Sequence, residues 1–118
     1  MTPSHDPQLL KGVLSVVLLH LLAEQESYGY EVVQRLQAAG FSDVLEGTVY
    51  PALSRLQREG GLSTRLVASP SGPARKYYRL TPAGHEALAS GTAAWARHVA
   101  VVDSVLTRPL PTDPQKGR

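Results

Sequence analysis

The 118 residues contain no cysteine. That absence excludes a disulfide framework, a thiolate metal site and a cysteine nucleophile, and it fits a reducing cytosol. The four histidines, His5, His20, His85 and His98, are scattered. None pairs with a carboxylate at metal-ligand spacing, so no metal site is expected. There is no nucleophile elbow, no phosphate-cradling glycine loop and no pair of catalytic carboxylates. An enzyme is therefore not expected, and neither is a cofactor. The run "GVLSVVLLHLLA" (12–23) falls short of a bilayer span, which takes about 20 apolar residues. It has the look of a signal-peptide core, but Asp6 offsets Lys11 ahead of it and His20 interrupts it. It reads as a buried helix of a cytoplasmic protein with no membrane partner.

What is present is a globular composition, 42% hydrophobic and 19% charged, of a length that favours one domain. The net charge of +2 conceals a segregation. Residues 1–46 carry Lys11 and Arg35 against six acids, a net −4. Residues 47–85 carry Arg55, Arg58, Arg65, Arg75, Lys76 and Arg79 against Glu59 alone, a net +5. Residues 86–118 come to +1. A basic middle points to a polyanionic partner, with a solvated charged face as the plain alternative.

Residues 9–25 are expected to form a first helix. Its apolar positions Leu10, Val13, Leu14, Val17, Leu18, Leu21 and Leu22 cover more than one stripe. Such a helix is buried on several sides, and in so short a chain one side points to a second subunit. "ESYGYEVVQRLQAAG" (26–40) predicts a second helix, with Ser27 as N-cap, Val32, Val33 and Leu36 inward, and Gly40 as the stop. "GTVYPALSRLQREG" (47–60) predicts a third. Val49, Leu53 and Leu56 form its inner face, and Pro51, tolerable only in a first turn, places its start. "LSTRLVAS" (62–69) and "ARKYYRL" (74–80), joined by "PSGP", read as a β-hairpin with Tyr78 inward beside Leu80. Thr81-Pro82 opens a last helix running to about Leu106. Its residues Leu88, Trp95, Val99, Val102 and Leu106 make a seam that no further element in the chain covers. Prolines 109, 111 and 114 end the order.

The expected fold class is mainly α with a small β-hairpin. The element order is that of a winged helix-turn-helix followed by a long C-terminal dimerisation helix. The expected division is a flexible N-terminus (1–8), a DNA-binding domain (9–80), a dimerisation helix (81–107) and a flexible tail (108–118). In a winged helix-turn-helix the third helix enters the major groove and the wing lies along flanking backbone. Thr48, Tyr50, Ser54 and Arg55 have the chemistry for base edges and phosphates, and Arg58 for a phosphate one turn on. Pro51 offers an apolar edge. Arg75 and Lys76 sit near the wing tip, Ser71-Gly72.

Three motifs in order, "SYGYEVVQRL" (27–36), "GTVYPALSRLQREG" (47–60) and "RKYYRLTPAGHEAL" (75–88), closely resemble the PadR-like transcriptional regulators. The likeness runs over roughly residues 9–106, and the short C-terminal part is similar to the smaller subfamily. The resemblance implies a homodimer built from the first and last helices, an imperfectly palindromic double-stranded DNA operator, and repression of nearby genes. It also implies release by a small aromatic or phenolic ligand. Ser27 and Tyr28 would then join the DNA contacts. Val13, Leu14, Val17, Leu18, Trp95 and Val99 would wall the ligand site, with Ser15 as a polar group. Leu10, Leu14, Leu88, Trp95, Val99, Val102 and Leu106 would make the dimer interface. Trp95 stays open between a packing role and a ligand platform. Two further readings also stay open: a winged-helix DNA binder without a ligand, and a winged-helix protein-interaction module. Gly61 stands where relatives usually carry an apolar residue, which predicts a looser joint between helix and wing.

Overall fold

A computed structural model describes residues 7–112 of the chain. The expectations for residues 1–6 and 113–118 lie outside the described residues. The elements run α1 (Pro7–Glu24), β1 (Ser27–Tyr28), α2 (Gly29–Ala38), α3 (Glu46–Arg58), β2 (Leu62–Val67), β3 (Arg75–Leu80) and α4 (Pro82–Leu106). This is a winged helix-turn-helix with a long C-terminal helix. No described helix is long and apolar enough to cross a membrane.

The core forms where three helices and the sheet converge. Leu10, Leu14, Leu18, Leu19 and Leu22 of α1 meet Val32, Val33 and Leu36 of α2. Val49, Ala52, Leu53 and Leu56 of α3 close it, with Leu62 and Tyr78 from the sheet. The inward positions of α3 follow the 3.6-residue period, so its other faces are left to solvent.

The expected hairpin is present as β2 and β3, while the Ser27 cap and the position of Pro51 need correction. The hairpin is part of a three-stranded antiparallel sheet in the order β1-β3-β2. Ser27 pairs with Tyr78 and Tyr28 with Tyr77. Ser27 therefore does not cap α2. Tyr28 holds the N-cap position, with no side-chain cap. The α3 helix starts at Glu46, so Pro51 lies in its second turn. Proline there withholds one N–H from the helical ladder, and that end of α3 is exposed to water, which can satisfy the freed carbonyl.

The joint between α3 and the wing is tight, not loose. Gly60 has φ +87°, a conformation open to glycine, and it reverses the chain. Gly61 is buried, its carbonyl accepting from Thr81 N–H at 3.0 Å. Thr81 caps α4 by accepting from Gly84 N–H at 3.0 Å, and its hydroxyl donates to the Gly60 carbonyl. The lack of side chains at Gly61 and Gly84 is what lets α4 begin directly against this joint. Their backbones meet, with Gly84 Cα 3.7 Å from where a Cβ on Gly61 would sit.

Candidate nucleic-acid interface

Successive residues of α3 turn by about 100°, which divides its wet side into a centre and two flanks. Pro51, Ser54 and Arg58 occupy the centre, all exposed. Tyr50 and Gln57 fall on the flank toward the wing, where Gln57 Nε2 donates to Thr64 Oγ1 of β2 at 3.4 Å. Thr48 and Arg55 fall on the flank toward α1, and Arg55 donates to Ser15 of α1.

A cleft of about 270 Å³ lies on the wing flank, lined by Tyr28, Gly29, Tyr30, Tyr50, Arg75, Lys76 and Tyr78. Its cations lie within cation–π range of aromatic rings. The Arg75 guanidinium lies 4.5 Å from the Tyr28 ring centre, and Lys76 Nζ 5.7 Å from that of Tyr78. Tyr28 meets Tyr77 edge-on at 5.4 Å, and Arg65 approaches Tyr77 at 5.7 Å. Tyr50 is laid against Gly29, where a Cβ would stand 2.9 Å from its ring. Burial and then the nearby Glu46 carboxylate push the Tyr50 phenol above its ordinary range, so it remains a neutral hydrogen-bond donor. The uncapped start of α2 presents the positive end of its dipole to the same cleft. The arrangement suits an extended polyanion.

The last helix packs along α1. Between them runs a groove of about 430 Å³ lined by Val13, Val16, Val17, Phe41, Gly91, Ala94, Trp95 and His98, with Gly12. It continues past Trp95 into an open trough walled by Leu9, Val99, Val102 and Asp103. Trp95 is 51% exposed, and Val101, Val102, Val105 and Leu106 are also exposed.

Over residues 18–90 the sequence matches the family described as the transcriptional regulator PadR-like family. This chain belongs to the PadR-like family. The transcriptional regulator Rv3488 of Mycobacterium tuberculosis is 40% identical over 80 residues, 66% of this chain and 71% of that protein. A PadR-like transcriptional regulator from Bacillus cereus superposes with a TM-score of 0.77 at 39% identity, covering 86% of this chain and 99% of that one. A PadR family regulator from Eggerthella lenta gives 0.79 at 30% identity, covering 86% and 88%. Membership makes the chain a transcriptional regulator, not an enzyme.

Against this PadR-like frame the predicted residues sort clearly. Thr48, Tyr50, Pro51, Ser54, Arg55, Arg58, Arg75 and Lys76 are exposed, and Tyr28 is partly so. Ser27 is a correction: it is fully buried, its hydroxyl donating to the Gln25 carbonyl at 3.2 Å and accepting from Arg35 at 2.9 Å. It has nothing left to offer DNA. Leu14 and Leu18 are corrections as ligand walls, since both are buried in the core. Ser15 is engaged by Arg55 on the α3 side, away from the groove. Leu10 and Leu14 are covered by their own chain, and Leu88 packs against its own core. Of the predicted dimer seam, Trp95, Val102 and Leu106 stand exposed and Val99 half-buried.

Contacts that the sequence reading assigned to no site also appear. Lys11 joins Thr48, Pro51, Arg55 and Arg58 around one cleft. Val16 and Phe41 line the groove with Trp95. Arg65, counted among the basic residues, is paired with Glu26 at 2.7 Å. No local motif signals any of these, because each depends on which helices cross.

Proposed function

We propose that this regulator is a homodimeric repressor that binds an imperfect palindrome in double-stranded DNA. Pro51 and Ser54 face base edges, Arg58 reaches a phosphate one turn on, and Arg75, Lys76 and the Tyr50 hydroxyl hold phosphate on the wing flank. The observation that carries the reading is the wing cleft itself, where two cations held over tyrosine rings border the exposed side of α3. A second copy covers the apolar strip Trp95, Val99, Val102 and Leu106, and the pair spaces its recognition helices by about one DNA turn, roughly 34 Å. As a regulator of transcription it works in the cytoplasm. A small planar aromatic ligand enters the groove beside Trp95 and releases the DNA. The ligand acts only by binding one arrangement of the dimer better than the other.

Fluorescence anisotropy tests the DNA reading. Labelled duplex from upstream of the regulator's own gene is titrated at two salt concentrations beside a scrambled duplex. Preferential binding that survives the higher salt is expected. Equal, salt-labile binding to every upstream duplex tried would refute sequence readout. Sedimentation reads the dimer, and quenching of Trp95 by planar aromatics reads the ligand.

A further inference from the structure

We propose that Lys11 of α1, together with Arg55 and Arg58 of α3, forms a second backbone-phosphate site on the flank of the recognition helix opposite the wing. The inference deepens the DNA-binding reading above and rests on it.

The cleft between α1 and α3 measures about 360 Å³ and is lined by Lys11, Leu14, Thr48, Pro51, Ala52, Arg55 and Arg58. Three of these are cations and none is an acid. Glu59, outside the lining, approaches Arg55 at 3.9 Å. Among the described residues Lys11 and Arg58 have no acidic partner. Three like charges around one open cleft repel one another, and an anion between them removes that cost.

Arg55 is turned toward α1, away from the centre of the wet face of α3. One of its terminal nitrogens donates to Ser15, which holds the guanidinium against α1. Its planar fork keeps further N–H donors for a phosphate oxygen. The Thr48 hydroxyl stands on the same wall. The anion is a phosphodiester of the bound duplex because of where the cleft lies. A helix in the major groove, about 12 Å wide, has a phosphate strand on each side. The wing cleft, bordered by Tyr50, faces one strand. The α1 cleft, bordered by Thr48 and Arg55, faces the other. Lys11 thus makes the first helix part of the DNA-binding surface, although it belongs to the acidic third of the sequence.

The test is the salt dependence of binding to a random-sequence duplex, since backbone contacts act without an operator. Full-length wild type, Lys11→Ala, Lys11→Arg, Arg75→Ala and Arg97→Ala are compared. Lys11 and Arg97 are exposed, and circular dichroism checks that each variant is folded. A lost phosphate contact lowers the slope of log K against log salt by about 0.9. Lys11→Ala is expected to show that loss and a several-fold weaker affinity, Lys11→Arg to restore both, and Arg97→Ala to match wild type. A wild-type slope in Lys11→Ala, beside a reduced slope in Arg75→Ala, would overturn this inference and leave the wing reading intact. An equal loss in Arg97→Ala would reduce Lys11 to general charge and also overturn it. If wild type binds no duplex, both readings fall.

Discussion

Replacing Gly84 by alanine should destabilise the protein, although helix propensity alone argues the opposite. Gly84 lies in the first turn of α4, and alanine there gains up to about 1 kcal/mol of helix propensity. The structure leaves no room for the methyl group. A Cβ at Gly84 would collide with the Gly61 carbonyl oxygen, 3.0 Å from the Gly61 carbonyl carbon and 3.2 Å from Leu80 Cγ. Two of the three atoms are backbone, so no side-chain rotation relieves the clash. The start of α4 has to back away from the α3–β2 joint. Retreat breaks the Thr81 N–H bond to Gly61 and the Thr81 hydroxyl bond to Gly60. Each is worth about 1 kcal/mol, and overpacking adds about 1–3 kcal/mol. Subtracting the propensity gain leaves a net loss of about 2–4 kcal/mol. For a chain of this size that lowers Tm on the order of 10–20 °C. Thermal and urea unfolding, followed by circular dichroism at one fixed protomer concentration, measure it. Unchanged or raised stability would mean that α4 does not press on the joint, and the account of Gly61 and Gly84 would be wrong.

Tyr28 acts mainly as the face on which Arg75 rests, so Tyr28→Phe should keep DNA affinity and Tyr28→Leu should lose about two- to fivefold; equal losses in both would return the role to the hydroxyl. A titration of stability against pH should show the Glu26–Arg65 pair. Hydrogen bonding from Arg65 lowers the Glu26 pKa in the folded state, so the pair contributes stability above the unfolded pKa and loses it as pH falls through the folded one. Glu26→Gln should flatten the acid limb of that curve without affecting neutral pH dependence, and an acid limb identical to wild type would refute the linkage.

The sequence carries the fold wherever its signal is local. Thr81-Pro82 marks the start of α4 because a hydroxyl cap and a proline at the first position act within one turn. Tyr78 is legible as core because strand alternation ties it to Leu80. The failures share a physical cause: each depends on a contact across the chain. A strand of two residues, Ser27–Tyr28, has no periodicity to read. Ser27 has the chemistry of a cap, and only its pairing with Tyr78 puts it inside. Counting charge by segment gives Arg65 to the DNA surface and Lys11 to an acidic region. The fold regroups both, pairing Arg65 with Glu26 from 39 positions away and setting Lys11 in one cleft with Arg55. Gly61 looks like a missing side chain until Gly84 is found against it.

That same crossing of helices gives the ligand proposed beside Trp95 a route to the proposed DNA surface. The α1 helix has two working sides. Val13, Val16 and Val17 face the Trp95 groove, while Lys11, Leu14 and Ser15 face α3. The two sites are separated by the width of one helix, about 10 Å. At the groove α1 and α4 are in close contact, since a Cβ on Gly91 would stand 2.6 Å from Val16 Cγ2. A close-packed interior does not absorb a wedge by compressing. A ligand that parts α4 from α1 therefore displaces α1 as a body, and the Ser15–Arg55 hydrogen bond is a polar tie from α1 to the recognition helix beside their shared apolar core. Coupling between such sites is typically about 1–3 kcal/mol. Ser15→Ala removes the tie without touching groove or wing. Its DNA affinity without ligand should fall only slightly, and the ratio of affinities without and with a releasing aromatic compound should shrink toward one. Anisotropy titrations of both proteins, with and without that compound, give the two ratios. Equal ratios would show that the displacement does not travel through the Ser15–Arg55 contact and would refute this route.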